Sequence, residues 1–123
     1  MNGGNEESCP THITGTRAAR IRQLNDDLRR DAVRSGRVVV TRGIYALCAA
    51  TIASIIDSIA AFDEFDSGND PYFEHDMGSL QWAGQTIFWK VDYYDVNLEF
   101  SSPDPADPTV TIRMLTVMLA TEY

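Results

Sequence analysis

Lysine is almost missing from this chain of 123 residues: Lys90 stands alone beside nine arginines. Cysteine is nearly as scarce. Cys9 and Cys48 are too few for a disulfide framework and read as two free thiols, with Cys48, in an apolar stretch, expected as a small buried hydrophobe. No apolar run approaches the roughly 18 residues that a membrane span requires. The opening segment MNGGNEESCPTHITG lacks both a basic start and an apolar stretch, so it is not a secretory signal, and a cytoplasmic location is expected. The sequence holds no GxSxG elbow, no HExxH and no glycine-rich phosphate loop, which removes the usual signatures of serine hydrolases, zinc proteases and nucleotide-binding enzymes. Histidine occurs only at positions 12 and 75. Cys9 and His12 together offer two ligands on a polar tail, too few for a metal site.

An apolar fraction of 44% in a chain of this length suits one domain with a real core. Residues 1–12 read as a flexible N-terminal tail and residues 13–123 as a single α+β domain. Charge is unevenly spread along it. Residues 13–43 carry eight arginines against Asp26, Asp27 and Asp31, a balance of +5; residues 44–107 carry twelve acids against Lys90, a balance of −11. An acidic body repels a phosphate backbone, which argues against direct nucleic-acid binding and for a basic protein or nucleoprotein partner.

Helical spacing of Ile21, Leu24, Leu28 and Ala32 predicts a first helix from about Thr14 or Thr16 to Ser35, stopped by Gly36. Arg37 to Thr41 is a β-branched run and reads as a strand. Ile44 to Phe62 follows as a second helix, with Ile52, Ile55, Ile56, Ile59 and Phe62 as its buried stripe. An acidic loop spans residues 63–77. Leu80 and Trp82, the turn Ala83-Gly84 and the alternation from Thr86 to Tyr94 predict a hairpin, with a third short strand at 98–100. Asp107-Pro108 reads as N-cap and first position of a closing helix running to about Thr121. The expected architecture is a small antiparallel sheet of three or four strands with two or three helices packed on one face.

The blocks VVVTRGI (38–44), AFDEFDSGNDPYFEHDMG (61–78), IFWKVDYYD (87–95) and SPDPADPTVTIRMLTVMLATEY (102–123) resemble a family of small bacterial proteins catalogued as domain of unknown function 3768. The resemblance covers about residues 37–123 and leaves the first helix outside. It implies no activity, cofactor or catalytic residue to carry over. It does imply association with plasmids and other mobile elements, and so a role in conflict between host and element.

Asp63, Glu64, Asp66, Asp70, Glu74, His75 and Asp76 form the densest group of chemistry-bearing side chains, able in principle to bind a divalent ion or to transfer protons. An EF-hand register starting at Asp66 would need glycine where Pro71 stands. The plainer reading is a solvated acidic turn in which His75 hydrogen-bonds the hairpin. Arginines 20, 30 and 34 lie on one flank of the first helix and 22 and 29 on the other, interleaved with aspartates as on a salt-bridged surface helix; docking on the acidic body is the alternative. Strand alternation leaves half of the aromatic set on the sheet face away from the core unless a further helix covers it.

These features favour a non-enzymatic acidic protein-binding module, with an inhibitor of a nucleic-acid-binding defence complex, acting by nucleic-acid mimicry in the anti-CRISPR or anti-restriction manner, as its most specific form. The expected partner-binding residues are Asp63, Glu64, Asp66, Asp70, Glu74, Asp76, Trp89, Asp92, Tyr94 and Asp95. No catalytic residue, metal or cofactor is expected, and no membrane contact; homodimerisation is an open alternative. The two rival readings are a small hydrolase centred on Glu74, His75 and Asp76, and a regulatory protein or antitoxin using the arginine-rich helix.

Overall fold

The computed structural model describes residues 10–123, with side chains from Arg17 onward. Helix α1 (Pro10–Arg30) starts ahead of both threonines expected to cap it. A turn at Asp31 separates it from the short α2 (Ala32–Ser35). Gly36 then ends the helical segment at φ 71°, a left-handed position that glycine occupies at no steric cost. Strand β1 (Val38–Val40) and the short α3 (Arg42–Tyr45) follow. Helix α4 (Ala49–Ala60) begins only after a break at Ala46–Cys48, so the expected single helix from Ile44 to Phe62 is two. Cys48 is the N-cap of α4 and is exposed, not buried.

The sheet is completed by β2 (Met77–Trp82), β3 (Gln85–Tyr94) and β4 (Ile112–Leu119). Its order is β1-β4-β3-β2. The β2–β3 and β3–β4 pairs are antiparallel, and β1 lies parallel to β4. The α+β reading therefore holds, with one parallel pair in an otherwise antiparallel sheet. Ala83 and Gly84 close the β2–β3 hairpin at φ 51° and 80°, the two positive angles of the tight turn that matches strand twist.

Two expectations fail in the last third of the chain. Residues 112–119 form a strand, not a helix. The segment is apolar at nearly every position because β4 is central, flanked by β1 and β3, so its sequence shows neither alternation nor a helical stripe. Asp107 caps no helix; its Oδ1 accepts from the backbone N–H and the hydroxyl of Thr109 and so closes a side-chain turn. The expected strand at 98–100 is a turn, with only an isolated bridge between Tyr94 and Ser101.

One sheet face carries the core. Ile87, Trp89 and Val91 from β3 and Leu115 and Val117 from β4 meet Leu28, Ala32, Ile44, Ile55 and Ile59 from the helices. Gly78 of β2 makes room for the Trp89 indole, since a Cβ there would lie 2.8 Å from three of its atoms. The opposite face holds Phe88, Lys90, Asp92 and Tyr94, all partly exposed. Among the described residues no helix is long and apolar enough to cross a membrane.

Candidate functional site

Three polar residues of α1 sit where its pattern of apolar contacts continues: Asn25 is fully buried, Arg29 is 2% exposed, and Asp26 lies between them. Each reaches the acidic loop or its neighbours. The Arg29 guanidinium donates to the carbonyls of Ile59 (2.7 Å) and Phe62 (3.1 Å) and to Asp26 (2.6 Å). It thus adds a charged donor to carbonyls at the C-terminal end of α4, where the helix dipole favours a cation. Its planar head also lies over the rings of Phe65 and Trp89, 5.3 and 5.1 Å from their centroids.

His75 stands next to this pair. Its Nδ1 is 2.9 Å from Asp26 Oδ1 and its Nε2 is 3.6 Å from Asp70 Oδ2. Its ring stacks on Phe65 at 3.7 Å and 6°. His75 and Phe73 both adopt left-handed backbone, at φ 54° and 60°, which costs a non-glycine residue on the order of 1 kcal/mol or more. The strain at His75 is held by its own N–H, which donates to Asp70 Oδ1 at 3.0 Å. Asp70, only 3% exposed, is therefore a structural acceptor.

Beside it runs a second seam. Asn25 Nδ2 donates to the Glu74 carbonyl and to the Tyr93 hydroxyl, and its Oδ1 accepts from Arg113 Nε. The Tyr93 hydroxyl donates to Glu74 Oε1. Arg113 also donates to the Pro105 carbonyl and lies over the Tyr93 ring. Helix α1, the acidic loop, β3, β4 and the segment before it are thereby joined through hydrogen bonds that are buried at Arg113 Nε–Asn25 and part-buried elsewhere.

The electrostatics follow from this geometry. Burial opposes ionisation of Asp26, but the hydrogen bonds from Arg29 and His75 outweigh it and hold the carboxyl below its ordinary range. Burial pushes the Asp76 carboxyl up, reinforced by the like charges of Asp70 and Asp92. Burial likewise pushes the Tyr93 phenol well above its ordinary value, with the neighbouring Glu74 adding to the effect.

The residues expected to bind a partner separate into three groups. Asp63, Glu64 and Asp66 are exposed, and none pairs with a cation among the described residues. Their loop is nonetheless fixed: Asn69 donates from its side chain to the Glu64 carbonyl and accepts from the Asp66 N–H, while Asp66 Oδ1 caps Gly68 and Asn69. Glu74, Asp76, Asp92, Tyr94 and Asp95 are partly exposed around the end of the sheet, with Asp92 bound to Lys90 at 2.7 Å. Asp70 and Trp89 are withdrawn from solvent altogether, Trp89 completely. Trp89 is on the core side because it alternates with Ile87 and Val91; its place in a binding surface is corrected accordingly.

Of the arginines, Arg17 pairs with Asp104 at 2.9 Å, Arg22 donates to the Phe73 carbonyl, Arg29 is buried and Arg34 pairs with Asp31. Much of the basic helix is thus docked on the acidic body. Among the described residues no group of three or more His, Cys, Asp and Glu side chains is placed to hold a metal ion. Cys9 lies outside the described residues, as does the His12 side chain. The sequence reading missed Asn25 and Arg29 as site residues. Their signal was present: positions 21, 25 and 29 are four apart and share the face that Ile21 and Leu28 bury.

A family described as "Protein of unknown function (DUF3768)" matches residues 40–122, about two thirds of the chain. The matched segment contains the acidic loop, His75 and strands β2 to β4, but not α1 with Asn25, Asp26 and Arg29. No curated protein and no solved structure matches the chain.

Proposed function

The chain belongs to that family, and from this membership and the geometry around His75 we propose that it is a non-enzymatic, acidic protein-binding module for a basic partner. The supporting observation is the ordered display of Asp63, Glu64 and Asp66: three exposed carboxylates, without a cationic partner among the described residues, on a loop fixed by Asn69 and by the stacking of His75 on Phe65. A charged surface that is already ordered loses little entropy on binding and gives both specificity and a fast approach to an opposite charge. Inhibition of a nucleic-acid-binding defence complex by charge mimicry is the most specific form of this reading, and it is supported only by the acidity and the mobile-element association that the family resemblance implies.

The hydrolase reading has less support. A general base needs a nitrogen free to meet substrate, and both nitrogens of His75 face protein carboxylates. The reading based on the first helix weakens for a parallel reason, since Arg17, Arg22, Arg29 and Arg34 already have partners within the molecule.

The test is affinity capture from the cells that encode the protein, using wild type and the triple variant Asp63→Lys, Glu64→Lys, Asp66→Lys in parallel. A stoichiometric partner with a basic surface, retained by wild type and lost by the variant, is the expected result. Turnover of a substrate that His75→Ala abolishes would overturn the proposal.

A further inference from the structure

Strand β2 is an edge of the sheet, and the antiparallel register fixes which of its backbone groups are free. The N–H of Val91 donates to the Asp76 carbonyl at 2.8 Å, so residues 76 and 91 form a hydrogen-bonded pair. Alternation along the register then places Gly78, Leu80 and Trp82 in the pairs that bond to β3. The N–H and C=O groups of Met77, Ser79 and Gln81 point the other way, and among the described residues no backbone group bonds to them. The strand is six residues long and contains neither proline nor a charged residue, the usual devices that close an edge to pairing.

That edge opens onto two grooves that meet at Ser79. One is walled by Phe62, Asp63 and Glu64 against Ser79, Leu80 and Gln81. The other runs between Gly68, Asn69 and Pro71 and the segment Met77–Ser79, with Phe88 also lining it. A chain lying along β2 would thus have the loop beside it from Met77 to Gln81, with Asp63 and Glu64 as the acids that line the grooves.

We propose that the β2 edge docks an extended, basic segment of the partner, which adds to the sheet as a fifth strand through Met77, Ser79 and Gln81 while its Lys or Arg side chains meet Asp63 and Glu64, with Asp66 adding to the charge of the same loop. Backbone bonds supply affinity in this mode, and the acids select the side chains. The same acids select against a second copy of this chain, because edge-to-edge pairing would bring two sets of carboxylates together. The inference rests on the reading of the protein as an acidic binding module and names the element that does the binding.

A lysine–valine alternating peptide is the probe, titrated by fluorescence anisotropy against the full chain, with amide hydrogen exchange read in parallel. Binding should protect the amides of Met77, Ser79 and Gln81 and leave those of Gly78 and Leu80 unchanged. Methylating alternate backbone nitrogens of the peptide should weaken binding at least about tenfold, the cost of losing one or two backbone hydrogen bonds. Ser79→Pro should do the same, since proline at an outward edge position removes the donor without breaking the inner ladder; the methylated peptide covers the case in which that variant is unstable. Peptide binding that is lost with the triple lysine variant yet unaffected by methylation overturns strand addition and leaves the binding module intact. Strand addition is equally overturned, with the binding module intact, if the peptide fails to bind while capture still yields a charge-dependent partner. Failure of both overturns both proposals. Wild-type dimers that dissociate on Ser79→Pro would assign the edge to self-pairing and overturn the inference.

Discussion

Asn25 has the most to lose from a single change. It is fully buried, uses both donor and acceptor atoms, and links Glu74, Tyr93 and Arg113. Asn25→Ala leaves those groups short of partners at a buried position, and should cost about 2–4 kcal/mol, read as a lower urea midpoint at unchanged m. Asp26 and Asp76 give opposite pH signatures. The Asp26 carboxyl is held below its ordinary value of 3.8, so its stabilisation is present above that pH and is lost as pH falls through the lower folded value. The Asp76 carboxyl is raised, so its ionised form costs stability at neutral pH. Asp76→Asn should therefore raise the melting temperature at pH 7, and the gain should fade as wild type becomes protonated in acid. An equal gain at all pH values would mean that the charge is not the cause. Cys48 is exposed, and its hydrogen bond with Thr51 lowers the thiol below its ordinary value. It should alkylate faster than an unperturbed cysteine, and Thr51→Val should slow it.

The hairpin and the helical face of α1 were legible in the sequence, because each carries one clean period. Ile87, Trp89, Val91 and Tyr93 alternate with Phe88, Lys90, Asp92 and Tyr94, and the structure keeps that division. Strand β4 was not legible. Arg113, Leu115 and Val117 face the core, while Ile112, Met114, Thr116 and Met118 are also partly or fully covered, so no charged residue marks the second face. Asp107-Pro108 added a helix-start signal that belongs to a turn. The break before α4 was equally hidden, since Ala46 to Cys48 contains no glycine or proline. Gly78→Ala tests the hairpin: its Cβ would meet the Trp89 indole at 2.8 Å, and the overpacking should cost about 1–3 kcal/mol. Retained stability would mean that the indole shifts freely, against its full burial.

Charge separation along the chain becomes internal neutralisation in the fold. The basic helix spends much of its charge on Asp26, Asp31, Asp104 and backbone carbonyls, and the loop acids Asp70 and Glu74 turn inward to His75 and Tyr93. The pairs of Arg29 with Asp26 and Arg34 with Asp31 are three residues apart and follow from the interleaved charges of the helix. The rest of the division was out of reach of the sequence, because it depends on contacts between residues 17–29 and residues 59–104 that no local pattern encodes. It leaves Asp63, Glu64 and Asp66 together as three exposed acids without a cationic partner among the described residues, on one fixed loop; Glu99 is in the same state, singly, on the turn that Asp95 caps. The buried placement of Asp70 also means that reversing its charge would unfold the loop and say nothing about binding.

The decisive measurement is the affinity of the captured partner for three forms of the protein across a salt series: wild type, the variant with Asp63, Glu64 and Asp66 changed to lysine, and a control with Asp27, Asp31 and Asp57 changed to lysine. All six positions are exposed, and the two variants carry the same change in net charge. Binding to wild type should weaken steeply with added salt, with at least about a hundredfold loss in the first variant and less than about tenfold loss in the control. Equal losses in the two variants, or binding indifferent to both, would contradict a role for the loop acids in docking the partner.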